Sequence, residues 1–181
     1  MIEFEELFEV IQLDKIEDYN FSGVWAMFGI EKKDEKRRYI CLNVGKSTDI
    51  RAELKADIER LNSFEPVINL EKEYRNQFNE KLFTYPLYAS RQDWLYKEIS
   101  DKYKDFVFIL VAKQQENNYT VEKYFAYSTK AVYWVSNGKY ASDTIVDDAK
   151  IDEIRRNIDV SRIDKEIIDK IDKLTDLLKN Q

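Results

Sequence analysis

Short apolar runs alternate along the chain with stretches in which apolar residues recur every three or four positions. The runs Gly23–Ile30, Tyr39–Val44 and Phe106–Ala112 predict three strands, because they are continuous and rich in β-forming residues. The third run predicts a central strand that is covered on both faces. Every residue of segment 31–38 is charged, so the segment predicts a solvent-exposed hairpin loop between the first two strands.

The clearest helical pattern follows the second strand. Gly45 is expected to end that strand, and Ser47 or Thr48 is expected to cap the helix that follows. A helix over residues 49–62 is predicted from the helical spacing of Ile50, Leu54, Ile58 and Leu61.

Further helices are predicted elsewhere in the chain. Residues 3–12 have an apolar face, residues 66–85 carry spaced aromatic side chains, and residues 92–103 repeat the same periodicity. Thr120 is expected to cap a helix after the third strand. Residues 131–135 form a short apolar segment that ends at a turn signal.

From about Asp148 onward the chain is dense in charge of both signs. Isoleucines and leucines at helical spacing predict two helices that are separated near Asp159–Ser161. Two interpretations stay open for this tail. It docks back on the domain, or it forms a homodimer or a partner contact through its apolar stripes.

The composition of the chain bears on its compactness and on the kind of partner that it is expected to bind. The chain has 181 residues with a formal net charge of −6, and it has only 4 Gly and 2 Pro, so it is expected to form a compact domain without long flexible linkers. A binder of nucleic acid usually has a basic excess, because neutralising phosphates drives its affinity. The acidic total does not exclude a local basic face, and it is also compatible with an acidic surface that engages a basic protein.

Residue types exclude several kinds of chemistry. The sequence has no His and one Cys, Cys41, which removes His-based acid–base catalysis and a disulfide within the chain. No apolar stretch approaches the roughly 20 residues that span a bilayer. The acidic N-terminus lacks the pattern of a signal peptide. We therefore expect a cytoplasmic protein without a membrane contact.

Two local motifs carry a resemblance to a known family. The first pairs Gly23-Val24-Trp25 with Asn43-Val44-Gly45-Lys46-Ser47, and the second is the segment Thr120–Phe125, which is followed by Asn137. Together with the order of elements, these motifs resemble the GIY-YIG nuclease superfamily over roughly residues 20–140.

The resemblance implies a fold and a division of the chain. It implies an α+β class with a small mixed or antiparallel three-stranded sheet flanked by helices, followed by a C-terminal helical extension. The division expected is an N-terminal helix and connector at 1–21, the GIY-YIG-like domain at 22–140 and the extension at 141–181. A helical insertion is expected at about 64–104.

The resemblance also implies a mechanism, in which tyrosines generate the attacking hydroxide, an arginine stabilises the phosphate and a glutamate holds magnesium or manganese. The tyrosine positions fall on Trp25 and Asn43, and the arginine position falls on Glu53. Glu122 keeps its type, and it is the expected metal ligand. Each residue also has a structural interpretation: Trp25 as a core aromatic, Asn43 as a partner for the backbone, and Glu122 as a charge that favours a helix start.

Two functional hypotheses follow. In the first, the active site is degraded and the chain acts by binding protein or nucleic-acid machinery, for example as a phage or mobile-element inhibitor of a host nuclease. The alternative is a divergent Mg-dependent DNA endonuclease of restriction or homing type. Lys46 would then replace the tyrosine base, and Arg51 would clamp the phosphate beside the metal on Glu122. The candidate site residues are Trp25, Asn43, Lys46, Arg51 and Glu122.

Overall fold

The computed structural model describes residues 2–62, 71–75, 81–86, 91–114, 117–136, 139–140, 149, 153–154 and 156–181. In chain order the strands are β1 (Glu9–Val10), β2 (Gly23–Glu31), β3 (Tyr39–Ser47), β4 (Glu71–Arg75), β5 (Lys81–Pro86), β6 (Tyr103–Lys113), β7 (Val135–Ser136) and β8 (Lys139–Tyr140). The α-helices are α1 (Ile50–Leu61), α2 (Arg91–Lys102), α3 (Asn118–Thr129) and α4 (Lys165–Lys179). Short 3₁₀ helices cover Phe4–Glu6 and Leu13–Tyr19.

Within the described residues, four strands form an antiparallel sheet in the order β1-β6-β2-β3. The predicted α+β class with a C-terminal helix is thereby confirmed, and the two-residue β1 widens the sheet by one strand. The two longest pairings join β2 to β3 and β2 to β6. Strand β3 is consequently an edge of the sheet, and the site described below lies along it.

A bulge in β3 sets the direction in which the side chain of Asn43 points. Met27 pairs with Asn43 while Phe28 pairs with Cys41, so Leu42 is an extra residue in β3. Cys41 packs on one face of the sheet and Leu42 on the other. Asn43 stays on the Leu42 side, because its amide contacts Tyr96 in the same cluster. The bulge therefore directs Asn43 toward the helices α1 and α2.

Each face of the sheet is covered by helices, as continuous apolar strands require. The face toward α3 and α4 includes the buried side chains of Val24, Ala26, Phe28, Ile109, Val111, Phe125, Ile171 and Leu174. The face toward α1 and α2 includes Trp25, Met27, Leu42, Ile50, Leu54, Leu95, Tyr96 and Ile99. Within the described ranges, no helix is both long enough and apolar enough to cross a membrane.

The C-terminal helix belongs to this packing. Ile171 and Leu174 of α4 are fully buried, and the Tyr124 hydroxyl of α3 donates a hydrogen bond to Asp172 at 2.8 Å. The tail therefore docks on the domain, which is one of the two interpretations of its pattern. A homodimer through this helix stays a prediction.

Two predicted helices are wrong where the structure describes them. In residues 3–12, only Phe4–Glu6 is helical, as a 3₁₀ turn, because β1 gains a ladder with β6 instead. The aromatic segment 66–85 contains the paired strands β4 and β5, so the expected insertion is not wholly helical. Aromatic residues favour strands as readily as helices, and their spacing alone does not decide between them.

The predicted helix caps are also displaced. Strand β3 continues through Gly45 to Ser47, and the Ser47 hydroxyl donates to the Asp49 carbonyl at 2.9 Å. The carboxylate of Asp49 therefore caps α1 by accepting from the Ala52 N–H at 3.1 Å. Likewise Asn117, and not Thr120, caps α3.

Candidate functional site

A pocket of about 300 Å³ lies along the edge strand β3. Its walls come from strands β2 and β3, helices α1, α2 and α3, and the segment after α3. The lining residues are Trp25, Asn43, Val44, Gly45, Lys46, Glu53, Leu95, Glu122, Tyr133 and Trp134. Next to the pocket, the Tyr133 N–H donates to the Leu42 carbonyl at 2.8 Å, so the segment after α3 covers part of the strand edge.

The pocket brings together four of the five candidate residues, namely Trp25, Asn43, Lys46 and Glu122. Arg51 does not line it. Its guanidinium contacts Asp49 at 2.7 Å and Glu17 at 3.7 Å. Two positions along a helix differ by about 200°, which separates Arg51 from the wall that Glu53 occupies.

Trp25 forms one wall by packing on Gly45. The two residues are partners across the β2–β3 ladder, and a Cβ atom on Gly45 would lie only 2.7 Å from three atoms of the indole ring. Gly45 is therefore required for the close approach of the indole, and it does not end the strand. Trp25 is 1% exposed, and its indole N–H has no hydrogen-bond partner among the described residues.

Asn43 belongs to a buried hydrogen-bond network beneath the pocket. Its amide donates to the Tyr96 hydroxyl at 3.2 Å, and its carbonyl accepts from the Val44 N–H at 3.0 Å. The Tyr96 hydroxyl in turn donates to Asp57 at 2.7 Å, and Arg60 donates to the same carboxylate at 2.8 Å. The side-chain amide of Asn43 is thus held by one side-chain and one backbone hydrogen bond.

Burial of this network disfavours ionisation of the Tyr96 phenol. It raises the pKa of Tyr96 well above 10, and the neighbouring Asp57 charge adds to the effect. Burial also raises the pKa of Asp57, although the Tyr96 hydroxyl and Arg60 act in the opposite direction. Tyr96 therefore places a phenol near the pocket that does not serve as a base near neutral pH.

Two carboxylates face the pocket. Burial is the main cause that raises the pKa of both Glu53 and Glu122, and the charge of Lys46 lowers both. The Glu53 charge also raises the pKa of Glu122, so the two groups act on each other. The indole of Trp134 donates to Glu122 at 3.2 Å and fixes its orientation. Lys46 is exposed and makes no ion pair within 4 Å among the described residues.

The two carboxylates of the pocket are the oxygen donors for the metal ion that the family resemblance implies. Glu122 and Glu53 supply the hard oxygen ligands that Mg²⁺ or Mn²⁺ prefers, and such ions keep several waters when bound. The part of the chain that the structure describes holds no group of three or more acidic, Cys or His ligands. These residues fit at most a weakly held, largely hydrated ion.

Several residues at the site have no signature in the sequence. Tyr133 and Trp134 lie in the short segment after α3, and Tyr96 is one of the two aromatic residues of α2. Their convergence depends on tertiary packing. Only Asp57 had a local signal, because it lies four residues after Glu53 and so shares its face of α1.

The fold and the pocket define an α+β protein with a carboxylate-bearing, aromatic-lined pocket on an edge strand. Comparison with family models, with curated proteins and with solved structures finds no match.

Proposed function

We propose that the chain is a GIY-YIG-like protein that acts by binding a protein or nucleic-acid partner and does not cut DNA. The order of elements supports this proposal. The β2–β3 hairpin leads into α1, β6 returns beside β2, and α3 delivers Glu122 to the pocket that Trp25 lines. This is the order that the resemblance implies for the family's catalytic face.

The observation that carries the proposal is the presence of Trp25 and Glu53 in that pocket. An indole N–H donates a hydrogen bond but does not act as a base, so Trp25 does not replace a tyrosine. Glu53 puts a carboxylate where the mechanism needs a guanidinium. A phosphodiester would meet repulsion from Glu53 and Glu122 together, and Lys46 is the single cationic side chain among the described residues of the lining.

Nearby phenols do not supply the missing base. Burial raises the pKa of both Tyr96 and Tyr133. A general base is most effective when its pKa lies near the operating pH. Loss of the base and of the charge clamp each typically costs a factor of about a hundred or more in rate. Little turnover is therefore expected.

One observation favours the alternative, a divergent Mg-dependent endonuclease. Glu53 gives the pocket a second carboxylate beside Glu122, and Lys46 stands near both. Two carboxylates can share a hydrated Mg²⁺ that acts on a phosphoryl oxygen. The endonuclease hypothesis expects Arg51 to bind the phosphate. Arg51 is instead paired with Asp49 and Glu17, outside the pocket.

Incubation of the purified protein with plasmid DNA and either Mg²⁺ or Mn²⁺ tests the proposal. The Glu122→Ala variant is assayed beside it, with Glu59→Ala as the matched control because Glu59 is an exposed carboxylate of α1. We expect no cleavage by any of the three proteins. Metal-dependent cleavage that disappears in Glu122→Ala and persists in Glu59→Ala would overturn the proposal in favour of the endonuclease.

A further inference from the structure

We infer that the pocket receives a cationic side chain, the guanidinium of an arginine on a basic segment of a partner protein. The inference rests on the proposed function, because it names what a chain that binds and does not cut would hold in this pocket. It departs from the chemistry of a nuclease, in which the same face would hold a phosphate.

The charged side chains that line the pocket favour a cationic occupant over an apolar or an anionic one. Glu53 and Glu122 face the pocket, and Lys46 is the opposing charge. An apolar group would strip water from the two carboxylates without replacing its hydrogen bonds, and that is costly. A phosphate would be repelled by them. A cationic donor replaces the lost water and donates a charge-assisted hydrogen bond to each carboxylate.

The aromatic walls favour a guanidinium over a compact ammonium. Trp25, Tyr133 and Trp134 line the pocket together with the two carboxylates. A planar guanidinium stacks on aromatic faces and presents several donors in a fixed geometry, whereas an ammonium is a strongly hydrated point charge. A volume of about 300 Å³ is at the low end for ligand pockets, which suits one side chain better than a large cofactor.

The Trp25 indole acts on one of the two carboxylates. It lowers the pKa of Glu53 against the effect of burial, and its own N–H is buried, so it does not reach an occupant of the pocket. The described residues hold no group of three or more acidic, Cys or His ligands. A guanidinium does not need such a group, because hydrogen bonds and aromatic faces hold it.

Lys46 offsets part of the effect of burial on the two carboxylates. It is exposed, and its charge lowers the pKa of both Glu53 and Glu122, although burial still raises the pKa of each overall. A guanidinium that enters the pocket would add a second positive charge and so favour the ionised form of both carboxylates.

Titration of the ¹⁵N-labelled protein with a blocked Gly-Arg-Gly peptide tests the inference. The indole N–H signals of Trp25 and Trp134 report from inside the pocket. The matched probe is Gly-citrulline-Gly, which keeps the shape of arginine without its charge. We expect shifts of both signals with the arginine peptide and binding weaker by about tenfold or more with citrulline.

Variants locate the binding site. Glu53→Gln and Glu122→Gln keep the side-chain size, and each is expected to weaken binding of the arginine peptide by about tenfold or more. Glu59→Gln makes the same change in net charge on an exposed position and is expected to leave binding unchanged. Unchanged far-UV circular dichroism of each variant confirms that it is folded.

The inference would be overturned by equal binding of the two peptides, by equal weakening in Glu59→Gln, or by shifts of the indole signals with inorganic phosphate or Mg²⁺ and not with the peptide. Absence of any shift would do the same. These outcomes are separate from the cleavage assay. Peptide binding can fail in a protein that does not cut DNA, which removes this inference alone, whereas metal-dependent cleavage removes the proposed function.

Discussion

The Tyr96 hydroxyl of α2 donates a 2.7 Å hydrogen bond to Asp57 of α1, in the interior beneath the pocket. Both side chains are almost completely buried. The same hydroxyl accepts from the Asn43 amide of β3, so one phenol joins two helices to the edge strand. This relationship holds the pocket floor in place, because a buried polar network is favourable only while its members stay paired.

Tyr96→Phe is therefore expected to destabilise the protein. It would leave the Asn43 amide without its acceptor and remove one of the two donors to Asp57. Loss of a partner from a buried polar group costs about 1–3 kcal/mol. Urea unfolding should show that decrease in the free energy of unfolding. Tyr119→Phe is the control, because Tyr119 is 49% exposed, and equal effects of the two changes would contradict the structural role of the network.

Gly45→Ala is expected to cost about 1–3 kcal/mol of folding free energy, because its new Cβ would overlap the Trp25 indole in a packed interior. The effect should be coupled to Trp25. In the Trp25→Leu background the obstructing ring is absent, so the same Gly45→Ala change should cost much less. A double-mutant cycle measured by urea unfolding gives this coupling. Additive costs would show that Gly45 is needed for some reason other than the indole.

Glu53→Gln is expected to stabilise the protein at pH 7 by about 0.5–2 kcal/mol, the usual range for a favourable single substitution. Burial raises the pKa of Glu53 above its usual 4.5, so the folded state holds the proton more tightly than the unfolded state. The penalty of the ionised carboxylate is absent below pH 4.5, and it appears as the pH rises through the raised folded pKa. Glutamine avoids that penalty.

The gain should therefore shrink toward zero as the pH falls below 4.5, and this pH dependence distinguishes it from improved packing. Thermal or urea unfolding of the wild-type and variant proteins over pH 3–7 measures it. Glu59→Gln is the control, because that carboxylate is exposed on the same helix. A gain that is independent of pH would show that desolvation of Glu53 is not its cause.

Much of the fold could be predicted from local pattern. Strands β2, β3 and β6 and helices α1 and α2 lie where apolar runs and periodicity predict them. The predictions that are wrong concern segments whose residues are compatible with more than one local structure. Phe4, Leu7 and Phe8 are all buried without forming an α-helix, because the chain gains pairing of β1 with β6. Short polar residues near a helix start compete to cap it, and Asp49 was not distinguished from Ser47.

The candidate site could likewise be predicted only in part from the sequence. Trp25, Asn43, Lys46 and Glu122 converge because they follow from the order of the elements. Arg51 does not join them, since its guanidinium pairs with Asp49 at the start of α1 and with Glu17 of the 3₁₀ helix Leu13–Tyr19. The bulge at Leu42 and the docking of α2 decide how Asn43 and Tyr96 meet, and neither feature has a sequence signature.

Two leucines of the docked helix α4 differ in burial. Leu174 is fully buried whereas Leu177, three residues further along the helix, is 39% exposed. Leu174→Ala is expected to lower the free energy of unfolding by about 2–5 kcal/mol, because it leaves a cavity against the domain core. Leu177→Ala should change it by less than about 0.5 kcal/mol.

Light scattering of Leu177→Asp then separates docking from self-association. A charge on the exposed side of α4 would break a homodimer that uses this helix, but it would leave the contacts of Ile171 and Leu174 with the domain intact. Because the apolar face of α4 is already covered by the chain itself, we expect the particle mass to equal that of the wild type. A halved mass would show that α4 serves a second copy of the chain as well as its own core.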